Sequence, residues 1–255
     1  MPRKREWFDE DSFWRDLYPF MFTETRLAGT AAEVKSLIRL ARPKGRAVLD
    51  LCCGPGRFSV ALAKRGFRVT GVDRTKFLLA KARARARAAR ARVEWVQQDM
   101  RDFERPGAFD LAISMFTSFG YFADKQEDRR VLRHVLQSLK PRGAFVIETI
   151  GKERIAGIFA PVSLDTLPDG TQLVQRRTVV DDWTRMRNEW TIIRRGRAKT
   201  YTFQHTLFTG QELRDRMEQA GFVDVKLYGW PDGGKYGLNS HRMAAIGRRG
   251  GSSAG

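Results

Sequence analysis

A short apolar run, RAVLDL (46–51), passes into the turn CCGPG, after which Phe58, Val60, Leu62 and Ala63 mark a helix. A strand that runs through a glycine turn into a helix starts a crossover, and the chain then has to supply further strands for the first to pair with. FRVTGVD (67–73) is the next strand, and a helix is expected over about 75–91. VEWVQQD (93–99) and FDLAISMF (109–116) follow as strands. A further helix is expected to start at Asp124, with Glu127 at capping-box spacing and a stripe of Val131, Leu132, Val135, Leu136 and Leu139. RGAFVIET (142–149) closes the series. The strands are apolar almost throughout, as burial on both faces requires. The alternation predicts an α/β, doubly wound, mostly parallel sheet.

The flanks read differently. Phe13, Trp14 and Leu17 suggest a helix over 9–18 that ends at Pro19, and Val34, Leu37, Ile38 and Ala41 form a one-face stripe within 30–41. Between 161 and 208, VQRRTVVDD, RMRNEWTII and AKTYTFQHTLF follow one another without helices, the last turn falling at Arg195-Gly196. Alternation of Tyr201, Phe203, His205 and Leu207 with polar residues points to a small antiparallel sheet with one apolar face. Thr209 and Glu212 repeat the capping-box spacing, and Gly221 is a natural residue to follow the helix end. GFVDVKLYGW and HRMAAIGR then pair as strands. The expected organisation is a helical N-terminal cap over 1–42, a core over 43–150 and 209–248, an antiparallel β insertion over 161–208, and a disordered tail over 249–255.

Composition narrows the function classes. With 255 residues, 42% hydrophobic and 11% aromatic, the chain is long enough to bury a sizeable core. No apolar run approaches a membrane span, and the N-terminus lacks the apolar stretch of a cleavable signal. The only cysteines, Cys52 and Cys53, are adjacent, which leaves no disulfide framework or cysteine-based zinc site; no metal is expected, and a cytoplasmic location is. The net charge is +18, and 35 of the 47 basic residues are Arg. Eight of the basic residues, and no acid, lie between Arg74 and Arg92. Such a chain attracts polyanions. These arginines are spread around their helix, and a solvated face in an arginine-rich composition is the favoured reading.

The glycine turn carries the chemistry. Gly54 and Gly56 permit a close backbone approach, the helix beyond them offers unpaired N–H groups, and Asp73 at the next strand tip suits two ribose hydroxyls. Alone, this pattern says only that a nucleoside cofactor binds, and a nicotinamide enzyme stays open. Asp50, before the glycines, would crowd a pyrophosphate but suits a ligand carrying an ammonium and a sulfonium. Asp99, at the third strand's end, suits an adenine amino group. With the helical prologue and the terminal strand pair, these features resemble the Rossmann-like (class I) S-adenosylmethionine-dependent methyltransferases over about 45–150 and 209–248.

The resemblance implies a seven-stranded sheet with an antiparallel last strand, and S-adenosylmethionine as cofactor. It implies cofactor contacts at Asp50, Cys52, Gly54 and Gly56, at Asp73 with Arg74 beside it, at Asp99 and Met100, and at Met115 and Phe116 beside the methionine moiety. Cys52 departs from the family's usual glycine. The β insertion further resembles small-molecule methyltransferases that cover the acceptor site with such a sheet. Trp14, Tyr18, Phe22, Phe119, Tyr121, Tyr236 and His241 are the candidates for the acceptor pocket. His205 is the candidate general base, with a core histidine as the competing reading. The expected activity is in-line methyl transfer to nitrogen or oxygen of a small molecule. A nucleic-acid methyltransferase is the alternative suggested by charge, but the amino-methylating N/D-P-P-Y/F tetrad is replaced by residues of SMFTSFGYF (114–122), and no catalytic cysteine exists outside 52–53.

Overall fold

The first strand, β1 (Ala47–Leu51), lies inside a seven-stranded sheet, and its residues divide between two cores. In the computed structural model, which describes residues 6–251, the chain begins with a 3₁₀ turn at Trp7–Asp9, then α1 (Asp11–Met21) and α2 (Glu24–Ala41). After β1 come α3 (Arg57–Ala63), β2 (Arg68–Asp73), α4 (Lys76–Ala88), β3 (Glu94–Gln97), β4 (Phe109–Ser114), α5 (Lys125–Ser138) and β5 (Leu139–Thr149). A short α6 (Lys152–Ile158) leads to β6 (Val162–Thr166), β7 (Gln172–Val180), β8 (Arg185–Arg194) and β9 (Arg197–Thr206). The chain closes with α7 (Gly210–Gln219), β10 (Phe222–Trp230) and β11 (Arg242–Arg249).

The larger sheet has the order β10-β11-β5-β4-β1-β2-β3, with β11 antiparallel to both of its neighbours. This is the expected Rossmann-like methyltransferase sheet. Val48, Leu111, Ile113, Ala144 and Val146 face α2 and α3 on one side. Leu49, Ala112, Phe145 and Ile147 face α5 and α7 on the other. The chain moves outward from β1 through β2 to β3, then returns to place β4 on the opposite flank of β1. That reversal opens a crevice at the strand tips, where α/β sheets bind ligands. The second sheet is antiparallel in the order β6-β7-β8-β9.

Several local expectations are corrected. Pro19 lies inside α1, which continues to Met21. The carbonyl that loses its donor belongs to Arg15, an exposed residue, so water satisfies it and the last turn survives. α2 starts at Glu24, where Thr23 caps Arg26 N–H, instead of near residue 30. Glu127 does not close a capping box: Asp124 caps Gln126 N–H at 2.8 Å, and the Glu127 carboxylate lies 3.9 Å from Arg101. The box at Thr209 and Glu212 does form, and Gly221 takes φ +100°. The short α6 and β6 were not anticipated. Of the expected tail, Arg249 belongs to β11, and 252–255 lie outside the described residues.

Asp128 on α5 is 1% exposed and neither carboxylate oxygen has a hydrogen-bond donor; Arg216 Nη1 lies 4.0 Å away. Burial pushes its pKa up to about 7. Between the ordinary carboxylate range and about pH 7 the folded protein therefore holds a proton that the unfolded chain has released, so stability falls as pH rises through that window. Thermal melts of Asp128→Asn are expected to lose this slope and to show a gain of roughly 2–4 kcal/mol near pH 8. An unchanged slope would place its source elsewhere.

Candidate functional site

The loop after β1 holds three left-handed residues, Cys52 (φ +60°), Gly54 (φ +54°) and Gly56 (φ +73°). Asp73 at the tip of β2 stitches this loop down. Its Oδ2 accepts from Gly54 N–H and its Oδ1 from Thr75 N–H, each at 2.8 Å, while Cys53 N–H donates to the Val72 carbonyl at 2.9 Å. Asp50 accepts from Ser59 Oγ on α3. Both carboxylates are buried, and among the described residues neither forms an ion pair. Burial raises Asp50 to about 6, against the Ser59 hydrogen bond and the nearby charge of Arg57. Burial also raises Asp73, against the opposing hydrogen bonds from Thr75 and Gly54.

These groups line a cavity of about 950 Å³ at the strand tips. Cys52, Gly54, Arg74, Asp99, Met100, Met115 and Phe116 share its wall. Gly56 does not. A Cβ there would meet Trp95 at 2.6 Å and Ala82 at 2.9 Å, so its glycine serves packing of the loop. Cys52 Sγ sits 3.4 Å from Met100 Sδ, and burial raises both thiols well above their ordinary range, leaving them unreactive.

Asp99 is more fully engaged than its sequence position implied. Oδ1 accepts from Arg101 N–H and Nε, and Oδ2 from Arg101 Nη2 and Arg74 Nη1, at 2.8–3.0 Å. Burial works to raise its pKa, but the Arg101 hydrogen bonds prevail and lower it. Arg101 and Arg74 also bind Glu6 and Asp9, which closes the N-terminal turn over this end of the cavity. Trp7 and Phe8 thereby join the wall. Nothing in the periodicity of that segment marked them.

A second, larger cleft of about 2050 Å³ lies against the inner face of the four-stranded sheet. The two spaces share Trp7, Trp14, Met21, Phe116, Thr117 and Tyr121. At this junction Phe116 (φ +61°) and Thr117 (φ +56°) adopt an uncommon left-handed backbone. Glu148 and Arg242 hold it: Glu148 accepts from Phe116 N–H and pairs with Arg242, and Arg242 Nη2 donates to Thr117 Oγ1 at 2.7 Å. Burial lowers Arg242 to about 9, helped by the charges of Arg26 and Arg57. Sequence reading passed over Arg242 in favour of its neighbour; an acid late in the apolar strand β5 was the available signal for its partner, Glu148.

Of the expected pocket residues, Trp14, Phe22 and Tyr121 line one cavity or both, and His205 lines the second. The others fall elsewhere. Tyr18 turns to α4, near Phe77, Lys81 and Arg85. Phe119 is 2% exposed and stacks on Phe208 in the core. Tyr236 donates to Glu153 Oε2 at 2.7 Å, and His241 is exposed; neither lines a cavity. Burial, with Arg185 and Arg177 nearby, lowers His205 to about 4, which keeps its ring neutral, and its Nδ1 faces Asn188 Nδ2 at 3.2 Å. The arginines Arg83, Arg87, Arg90 and Arg92 are exposed along and just beyond α4 and touch neither cavity.

A doubly wound sheet with a ligand-sized cavity at its reversal point, an acid at each of two neighbouring strand tips and an antiparallel last strand are the architecture of the Rossmann-like (class I) methyltransferase fold. Residues 48–143 match the family described as a methyltransferase domain. The chain spans about half the length of the first curated relatives it matches. It is 30% identical over 121 residues, 48% of this chain and 49% of the relative, to a dTDP-3-amino-3,4,6-trideoxy-α-D-glucopyranose N,N-dimethyltransferase of Streptomyces venezuelae. It is 29% identical over 172 residues, 65% of this chain and 68% of the relative, to a ubiquinone biosynthesis O-methyltransferase of Pseudomonas aeruginosa. The crystal structure of DesVI from Streptomyces venezuelae aligns with a TM-score of 0.68 at 25% identity, covering 93% of this chain and 98% of that one. Among the described residues no helix is long and apolar enough to cross a membrane, and no cluster of candidate metal ligands occurs.

The state of Asp50 is directly testable. Because its folded pKa is raised, the ligand-free protein is expected to lose stability as pH rises from about 4 to 6. Asp50→Asn should then gain roughly 1–3 kcal/mol at pH 7.5 in denaturant unfolding. A loss of stability in that variant would show the carboxylate to be compensated.

Proposed function

We propose that this chain transfers a methyl group from S-adenosylmethionine to nitrogen of a small-molecule acceptor. The observation that carries the reading is the pair of buried carboxylates, Asp50 and Asp73, neither in an ion pair among the described residues, in a cavity at the strand tips. A ligand that brings its own positive charge relieves the cost of burying them, whereas a diphosphate would add to it. The residues fit such a cofactor. Each oxygen of Asp73 spends one acceptor position on the loop and keeps another for a ribose hydroxyl. Asp50 faces the amino-acid end of the ligand. Gly54 gives room, since a Cβ there would meet Phe22 only at 3.8 Å. Asp99 receives the adenine amino group in place of a bond from Arg74, and Met100 packs beside it.

When bound, S-adenosylmethionine supplies an electrophilic methyl group on a sulfonium. The work left to the protein is to orient the acceptor and exclude water, because transfer disperses charge and leaves little for the site to stabilise. Trp7, Trp14, Met21, Phe116 and Tyr121 make the junction apolar and aromatic. Burial raises Tyr121 to about 12, so its phenol stays protonated. No carboxylate or imidazole lines the junction among the described residues. A neutral amine needs no base and enters an apolar junction more readily than its ammonium form; a hydroxyl would lack the base it requires. The relatives include both an N- and an O-methyltransferase, and the junction favours the former chemistry. A nucleic-acid substrate is disfavoured because the exposed arginines of α4 lie away from both cavities.

Calorimetric titration with S-adenosylhomocysteine and with NAD tests this reading. S-adenosylhomocysteine is expected to bind and NAD not to, with Asp73→Ala weakening binding by about 2–3 kcal/mol in a folded variant. Preferential binding of NAD would overturn the proposal, as would an unchanged affinity in Asp73→Ala for the assignment of that residue. Radiolabelled methyl transfer to a panel of primary and secondary amines, set beside matched alcohols, tests the choice of nitrogen.

A further inference from the structure

The inner face of the four-stranded sheet carries a polar row that methyl transfer does not require. Ser163 of β6 stands opposite Gln175 of β7, Arg177 of β7 opposite Asn188 of β8, and Asn188 reaches His205 of β9. On either side the same face is apolar, with Leu173, Met186, Ile192 and Phe203. A row of this kind in an apolar wall needs partners.

Arg177 is held in place by Ser163 Oγ at 3.0 Å and Gln175 Oε1 at 2.7 Å, with a longer bond to the Ala160 carbonyl, and among the described residues it forms no ion pair. Of its five N–H groups, two remain unused. Asn188 is 2% exposed, and its Nδ2 donates both to the Met186 carbonyl, at 3.3 Å, and to His205 Nδ1. The Met186 carbonyl settles the orientation of that amide, because an oxygen placed there would face an oxygen. His205 Nδ1 is therefore an acceptor, and the neutral ring carries its proton on Nε2 as a donor. Trp190, two residues beyond Asn188 on the same face, has a buried Nε1–H with no partner. Arg26 and Arg242, the latter paired with Glu148, also line the cleft wall, and Asp165, which accepts from Gln175 Nε2 at 2.6 Å, is the only acid lining it among the described residues. The polar lining is thus rich in donors and cations and poor in anions.

We infer that this row is a binding subsite for an anionic oxygen group, a carboxylate or a phosphate, carried by the acceptor and held by Arg177, His205 Nε2–H and Trp190 Nε1–H. The inference rests on the second cleft being the acceptor site. The rings of His205 and Tyr121 are 5.9 Å apart, and Tyr121 belongs to the junction. The acceptor is then an amine that also carries an anionic oxygen group. Its apolar body sits among Trp7, Trp14 and Phe203. His205 on this account is a specificity residue.

The test uses phenylacetate, phenyl phosphate and benzyl alcohol as probes, titrated calorimetrically into the full chain with and without S-adenosylhomocysteine. At least one of the anions is expected to bind about tenfold or more tighter than benzyl alcohol, and a preference between the two identifies the group. Arg177→Met should abolish that preference while leaving benzyl alcohol unchanged, and Trp190→Phe should reduce it severalfold. If Arg177→Met does not fold by circular dichroism, Trp190→Phe decides alone. Equal affinity for all three probes, failure of both anions to bind at millimolar concentration, or a preference that survives in the variants overturns the inference. Failure of S-adenosylhomocysteine to bind the wild-type chain overturns the methyl-transfer reading instead, while the anion preference is still measured in its absence.

Discussion

The carboxylate of Asp73 is the constraint on which the site depends. One side chain accepts from the loop after β1 and from the first residues after β2, so two strand tips and the glycine turn between them become one rigid piece. It also leaves a desolvated acid facing a cavity, and Asp50 adds a second from the adjacent strand. A protein gains nothing in stability by burying two carboxylates outside any ion pair. Their persistence together makes sense as a place kept for a positively charged ligand.

Around that rigid floor the walls come from distant parts of the chain. The Asp99, Arg101 and Glu6 contacts, with Arg74 and Asp9 beside them, tie the N-terminal turn to the end of β3. Trp7 then packs on Phe203 of the second sheet, with ring centroids 4.7 Å apart, so the prologue joins the core to the insertion. The strained turn after β4 is held by the Glu148–Arg242 pair. Backbone in this conformation persists only when its surroundings hold it. The rigid parts therefore meet at the junction where the two cavities join.

Much of the fold was legible because it is written in local periodicity. The βα alternation, the insertion between β5 and α7 and the capping box at Thr209 follow from patterns that span a few turns or a single strand, and the antiparallel terminal strand from the family resemblance. The first cavity was legible for a related reason: Asp50, Asp73, Asp99 and Met115 lie at or just past strand ends, and a parallel sheet gathers those ends on one edge. Misplaced residues failed for the opposite reason. Tyr18, Phe119 and Tyr236 are aromatic residues whose spacing shows that they are buried or half-buried, but not what they are buried against. Pro19 and Glu127 were decided by solvent access and by a competing arginine, neither of which a local rule contains.

The chain's sequence by itself determined the alternation of strands and helices and the acids at the strand tips, because hydrophobic period and glycine placement act through neighbours in sequence. Only the tertiary structure decided the second cleft. Arg26, Arg177, Asn188, Trp190, His205 and Arg242 come from α2, β7, β8, β9 and β11, and their convergence depends on how one sheet sits over the other. The protonation of His205 shows the difference most plainly: the histidine is visible in the sequence, but whether it gives or takes a proton is set by an amide two strand-residues away that is itself fixed by a carbonyl.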